Sequence, residues 1–310
     1  MSDQADPDAL PSNTVQHEQI SHAIAVVHDP RSDNDVRREA SQFLERLRDD
    51  ESAPEQGFLL ASAHEQSPIL RHYGLSLLDH AINYKWADYS PEQSGAVREW
   101  VLKLAHGSTL NDPPYIYNKA AELWVEIAKR SWVVDWIDMD EQLVRLWEGS
   151  LPQQLLVLNI LETLSEEIFS SEDSVAALRG TELNRACVEI FVPAPVLTQL
   201  FPKREAPNNI RHGSEGWVSR LADALDSYIS PDKAIECPDN LVLRVMSTFR
   251  SCIGWIVPRA LIVTQSIERM CACLAVSNME VQLVSTLILL SVAVELRMGR
   301  GGSRYAVCSL

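Results

Sequence analysis

Residues 71–86 read RHYGLSLLDHAINYKW, and their pattern indicates a helix that packs one side against its neighbours. Polar residues, including two histidines, follow the other side of that helix. Small and apolar residues recur at the i, i+3, i+4, i+7, i+8 spacing of an amphipathic helix, at Gly74, Leu77, Leu78, Ala81 and Ile82. The stretch therefore predicts a helix that needs a partner surface.

The same pattern returns in three other predicted helices, at offsets of 34, 47 and 37 residues. The matching sets are Ala40, Phe43, Leu44 and Leu47, then Ala121, Trp124, Val125 and Ala128, and, more loosely, Leu158, Leu161, Glu162 and Ser165. Such drifting periods are typical of HEAT arrays. Because one antiparallel helix pair cannot bury its own apolar side, the pairs must stack on one another. The sequence predicts an all-α fold, a HEAT-repeat α-solenoid built as a superhelical stack of antiparallel helix pairs.

Composition supports this class and places the chain in a reducing compartment. Only 12 glycines occur in 310 residues, fewer than the turns of an α/β enzyme usually require. The six cysteines have no framework spacing, which indicates reduced thiols in the cytosol or nucleus. The most apolar run, 281–296, is shorter than the roughly 20 residues that a bilayer requires. It predicts a helix rather than membrane insertion, and, if it lies at an exposed end of the array, self-association.

Charge and motifs narrow the function classes. A formal net charge of −16 disfavours direct contact with nucleic acid and favours basic protein partners. The sequence contains no Gly-rich phosphate loop, no G-x-S-x-G and no H-E-x-x-H motif. His72 and His80 lie eight residues apart, too far for an i, i+4 zinc pair. We expect no enzymatic activity, no cofactor and no metal.

The chain divides into four predicted segments. Residues 1–13 are polar and are expected to be disordered, and residues 14–230 carry the N-terminal HEAT repeats. Residues 231–297 give further HEAT-like helices, and residues 298–310 form an irregular tail. Inside the first array, residues 192–216 hold four prolines and two glycines and are expected to form a long connection.

Two blocks resemble a known family, the karyopherin-β nuclear transport receptors of the importin-β superfamily. The blocks are RHYGLSLLDHAINYKW and KAAELWVEIAKRSWVVDWIDM, the second at 119–139. The resemblance is to the exportin-5 type, including its fungal branch, and extends over about residues 14–230. It implies N-terminal HEAT repeats that bind RanGTP, and a concave surface that carries protein or RNA cargo. It also implies contact with nucleoporins, shuttling between nucleus and cytoplasm, and no hydrolysis by the receptor itself.

Members of that family are several times longer than this chain. We therefore expect an N-terminal portion of a receptor, or a shortened product whose tail reflects a truncated gene model.

The resemblance also implies where Ran binds, since the second helix of each repeat faces the concave interior. The expected Ran-binding side chains are Asp79, Asn83, Glu122, Glu126, Glu162 and Glu166. Glu122 and Glu126 are four residues apart and share a helix face. Stacked repeats would align these groups as an acidic column, whereas the plainer interpretation is a solvated helix face.

Three functions are compatible with the sequence. The first is an exportin that loads cargo together with RanGTP, the second a generic HEAT-repeat scaffold for protein interactions, and the third a truncated product that transports nothing. The cargo class stays open among proteins, phosphorylated proteins and structured RNA, although the acidity of this segment argues mildly against RNA contacts here.

Overall fold

A computed structural model describes residues 12–169, 174–203, 210–230 and 237–298. These residues form sixteen α-helices and two short 3₁₀ turns, and within them no β-strand occurs. The predicted all-α class is therefore confirmed. The tail predicted over 298–310 and the disordered start predicted over 1–13 lie almost wholly outside the described residues, and both stay predictions.

The chain separates into two compact units, Met1–Leu123 and Trp124–Leu310, and the boundary falls within one helix. The helices of the first unit, the last of which continues into the second, are α1 Ser12–His28, α2 Asn34–Asp49, α3 Ala53–Ser62, α4 Pro68–Tyr84, α5 Pro91–His106 and α6 Pro114–Ser131. A 3₁₀ turn, Trp86–Asp88, follows α4.

Helix starts in the first unit follow from serine caps and prolines. The Ser67 hydroxyl accepts the amide N–H of Leu70 at 3.3 Å and so caps α4. Ser90 and Gln93 form a reciprocal capping box at the start of α5. In both helices a proline occupies the first turn, where its missing N–H costs no hydrogen bond. Local sequence therefore fixes where these helices begin.

Helices α3 and α4 cross so closely that only glycine fits at the contact. A Cβ atom at Gly74 would lie 2.6 Å from the carbonyl oxygen of Gly57 and 2.7 Å from the amide nitrogen of Ala61. Gly57 also lies against Leu77, farther along α4. The order of these contacts shows that the two helices run antiparallel, as expected of one repeat.

Successive second helices of the first unit lie side by side and run in the same direction. The Tyr73 hydroxyl in α4 donates to the carbonyl oxygen of Leu44 in α2 at 2.9 Å, and His80 lies 3.6 Å from Asp49 one to two turns later in both helices. Because the contacts advance together, α2 and α4 are parallel. This is the row of second helices that the repeat predicts.

Ten further helices lie among the described residues of the second unit. They are α7 Met139–Trp147, α8 Leu151–Phe169, α9 Ser174–Leu178, α10 Gly180–Phe191, α11 Ala194–Leu200, α12 Gly216–Ile229, α13 Asp239–Cys252, α14 Pro258–Val263, α15 Ser266–Ala272 and α16 Met279–Met298. A 3₁₀ turn, Cys273–Ala275, precedes α16. Within the described ranges, no helix combines the length and apolar character that crossing a bilayer requires.

A parallel row of helices also organises the second unit. The Asn278 side-chain amide donates to Asp239 at 2.8 Å, and the Ser285 hydroxyl lies 3.5 Å from the Met246 sulfur. Both pairs are 39 residues apart, so α13 and α16 are parallel with a constant offset. That offset is close to the period of HEAT arrays. The helical-repeat class predicted from the sequence is confirmed.

The prediction of a long connection over 192–216 is wrong for residues 194–200. Helix α11, Ala194–Leu200, lies inside it, with Pro193 as its N-cap residue and Pro195 in its first turn. Prolines at these positions are compatible with a helix. Two of the four prolines therefore mark the start of a helix and not irregular chain.

Candidate partner-binding surface

Three of the predicted Ran-binding residues meet around one lysine in the first unit. The Lys119 ammonium of α6 lies 3.0 Å from a carboxylate oxygen of Asp79 in α4 and 3.0 Å from one of Glu122 in α6. The Asn83 side-chain amide donates to the other Asp79 oxygen at 3.0 Å. Asn83 is exposed, and Asp79 and Glu122 are partly exposed. We call these four residues the Lys119 cluster.

The Lys119 cluster has a net charge of −1 at neutral pH. Burial alone would lower the pKa of Lys119, but Asp79 and Glu122 together raise it above its ordinary value. Burial lowers the pKa of the adjacent His72 imidazole, and Lys119 lowers it further, so His72 adds no positive charge. The His72 ring instead meets the Tyr115 ring edge-on at 5.5 Å.

Glu126 is engaged inside the second unit by two cations. The Lys129 ammonium lies 2.5 Å from Glu126 and 2.7 Å from Glu167 of α8, and Arg130 also pairs with Glu126. Only 2% of the Lys129 side chain is exposed. Since an unpaired ammonium in that position would be very costly, Glu126 has a structural role. Sequence reasoning selected Glu126 but missed Lys129 and Glu167.

Glu162 and Glu166 in α8 differ in accessibility. Glu162 accepts hydrogen bonds from Arg244 at 3.0 Å and from Ser247 at 2.6 Å, both in α13. Glu166 is exposed. Partial desolvation and the nearby Glu162 carboxylate raise the pKa of the Glu166 carboxyl. Glu162 therefore links two helices, while Glu166 is available to a partner.

Ion pairs thus connect neighbouring second helices within each unit. Within the predicted column of acidic groups, Asp79 and Glu162 pair with a cation of a neighbouring helix. Glu122 and Glu126 pair with cations of their own helix. Of the six predicted residues, Asn83 and Glu166 are exposed, and the Glu122 side chain is 43% exposed. The assignment of all six residues to a Ran surface stays a prediction.

A buried carboxylate that the sequence did not single out organises the first part of the second unit. Asp140 is 1% exposed and accepts the backbone N–H of His212 at 2.6 Å and the indole N–H of Trp217 at 2.7 Å. Burial raises the pKa of its carboxyl group. In the sequence, Asp140 lies beside Glu141, and both are in the first turn of α7. Its partners lie more than 70 residues away, which no local pattern could indicate.

A comparison with protein families identifies the chain. The family described as Exportin 1-like protein matches residues 113–287, more than half of the sequence. The chain belongs to this family. The match begins at the start of α6 and ends within α16, so it includes the Lys129 ion pairs, the Asp140 carboxylate and the parallel helix row.

Curated relatives agree with this assignment to the Exportin 1-like family. The chain is 29% identical to Protein MSN5 of Saccharomyces cerevisiae, over 83% of this chain and 22% of that protein. It is 28% identical to the uncharacterized protein C328.01c of Schizosaccharomyces pombe, over 81% and 21%. It is 30% identical to human exportin-5, over 49% and 13%. The resemblance to exportin-5-type karyopherins, including the fungal branch, is confirmed for this part of the molecule. The chain spans about a fifth of the length of the first two relatives.

Proposed function

We propose that the chain is part of a nuclear export receptor that binds RanGTP through its N-terminal HEAT repeats and carries protein or RNA cargo through the nuclear pore. The observation that carries this proposal is the family match over residues 113–287, on a fold built from parallel rows of second helices. The receptor moves between nucleus and cytoplasm and contacts nucleoporins. The proposed function involves no catalytic step and no cofactor.

The Lys119 cluster offers a means of attracting a basic protein surface. The whole chain has a net charge of −16, so its field accelerates the approach of positively charged partners. A lysine or arginine of Ran that approaches Glu122 would share its carboxylate with Lys119. Such exposed ion pairs contribute only about 0.2–1 kcal/mol each. The acidic groups therefore set association rate and orientation more than total affinity.

Single charge reversals test which of the predicted residues contact Ran. Glu122→Lys and Glu166→Lys each change an accessible carboxylate, whereas Glu126 should be left intact because it neutralises the buried Lys129. Glu99→Lys is the matched control, an exposed carboxylate on α5, the other kind of helix in the repeat. We expect the first two variants to weaken RanGTP binding by about three- to tenfold, with reduced dependence on salt.

Binding should be measured by titration at two salt concentrations, with circular dichroism to verify the fold of each variant. If Glu99→Lys weakens binding as much as Glu122→Lys, the weakening results from the change in overall charge and not from loss of a contact at Glu122. If all three variants bind as the parent chain does, Glu122 and Glu166 are removed from the Ran surface.

A further inference from the structure

The first turns of α4 and α6 expose two large apolar side chains next to the Lys119 cluster. Ile69 in α4 is 48% exposed, and Tyr115 in α6 is 42% exposed. His72 lies one turn after Ile69, and its ring meets the Tyr115 ring edge-on at 5.5 Å, so the two helices are in contact at this point. We call Ile69, His72 and Tyr115 the Tyr115 patch.

The Tyr115 patch and the Lys119 cluster lie on one continuous surface. In both helices their members are separated by three, four or seven residues, the intervals that place side chains on one face of a helix. These members are Ile69, His72, Asp79 and Asn83 in α4, and Tyr115, Lys119 and Glu122 in α6. The charges of Lys119 and Glu122 both act on the His72 imidazole, so the two groups are also adjacent across the helices. At 1.5 Å per residue, Glu122 lies about 10 Å along α6 from Tyr115.

The exposed side of α4 lies within the row of second helices and not at its end. In the first unit, α4 contacts α2 through Tyr73 and Leu44, and it contacts α6 through Asp79 and Lys119. Each repeat of a solenoid packs on its neighbours along the row. A further repeat would therefore extend the row without covering this side of α4.

The two groups offer different chemistry to a partner. The Tyr115 patch carries no charge at neutral pH, because burial and the nearby Lys119 lower the pKa of the His72 imidazole. The Lys119 cluster has a net charge of −1. Exposed ion pairs supply little affinity, whereas tyrosine is among the residues that most often supply binding energy at protein interfaces. The surface therefore fits a basic protein that places an apolar side chain about 10 Å from a lysine or arginine.

We propose that the Tyr115 patch supplies most of the affinity of the surface that binds RanGTP, while the Lys119 cluster orients the same partner. The inference rests on the proposed function and states the chemistry that this function requires of the partner. An apolar side chain covers Tyr115 and Ile69, and a neighbouring lysine or arginine reaches Glu122. Loss of the tyrosine ring therefore speeds dissociation, whereas charge reversal at Glu122 mainly slows association.

The kinetics of RanGTP binding to the complete chain, measured by surface plasmon resonance at two salt concentrations, test this division. Tyr115→Ala should weaken binding about ten- to thirtyfold, through faster dissociation and with unchanged salt dependence. Tyr115→Phe keeps the ring and should bind as the parent chain does. Ile69→Ala changes the patch from the other helix and should weaken binding about three- to fivefold.

Tyr84→Ala is the matched control. Tyr84 is 76% exposed in the last turn of α4, about 18 Å along the helix from His72, and its removal should change binding less than about twofold. Because both tyrosines are exposed, the two alanine variants should melt at the same temperature as the parent chain.

The outcomes separate this inference from the proposed function. If the parent chain binds RanGTP and Tyr115→Ala weakens binding no more than Tyr84→Ala does, the role of the Tyr115 patch is overturned and the proposed function stands. Weakening by Tyr115→Ala that results only from slower association also overturns it. A parent chain that does not bind RanGTP overturns both.

Discussion

The crossing of α3 and α4 gives the sharpest prediction about the fold, through Gly74→Ala. In a helix without neighbours, replacing glycine with alanine stabilises the folded state by about 1 kcal/mol. At Gly74 the new Cβ atom would lie 2.6 Å from the Gly57 carbonyl oxygen and 2.7 Å from the Ala61 amide nitrogen. Both are backbone atoms, so the helices themselves must separate. Overpacking of this kind costs about 1–3 kcal/mol or more, and we expect a net loss of about 2 kcal/mol.

Gly95→Ala is the matched control, in α5 of the same unit. An added Cβ there meets no atom within 4 Å, so the full helical gain of about 1 kcal/mol should appear. Urea unfolding followed by circular dichroism should separate the two variants by about 3 kcal/mol, or a midpoint difference of about 1 M or more. A Gly74→Ala protein as stable as the parent would refute the close crossing.

Two further predictions concern buried polar groups. Asp140→Ala leaves the His212 amide and the Trp217 indole without their acceptor; it should destabilise the chain by about 2–4 kcal/mol, measured by urea unfolding, and Asp140→Asn should lose less. Burial raises the pKa of Tyr73 to about 12, so the folded state holds the phenol proton more tightly than the unfolded chain does. The resulting stabilisation of the folded state is complete below pH 10 and is lost as the pH rises toward 12. Tyr73→Phe should cost about 1 kcal/mol at pH 7 through the lost bond to Leu44, and should lose less stability than the parent between pH 9 and 11. Equal losses in that range would contradict the Tyr73 assignment.

Most helices could be predicted from the sequence because each carries its own start signal and apolar period. Ser67 and Ser90, each followed by a proline, cap α4 and α5 in the structure, and most of the helix predicted from residues 71–86 lies in α4. Helices in segments without a strong apolar period were harder to predict. In 192–216 the prolines suggested irregular chain, although two of them begin α11.

The partners of charged groups could not be predicted, because they lie on other helices. Glu126 and Glu162 were selected as exposed acids on second helices. In the structure Glu126 neutralises the buried Lys129, and Glu162 holds Arg244 from a helix about 80 residues later. Helical period predicts which side of a helix is polar, but not whether a neighbouring helix places a cation there. Glu122 pairs with Lys119, and its side chain keeps the accessibility that the prediction assumed.

The most direct test of the proposed function is the affinity of the purified chain for Ran loaded with GTP compared with Ran loaded with GDP. We expect the chain to bind the GTP form selectively, and we expect Glu122→Lys to weaken this binding more than Glu99→Lys does. Equal binding of the two nucleotide forms, or no binding of either, would contradict a role of these repeats as the Ran-binding part of an exportin.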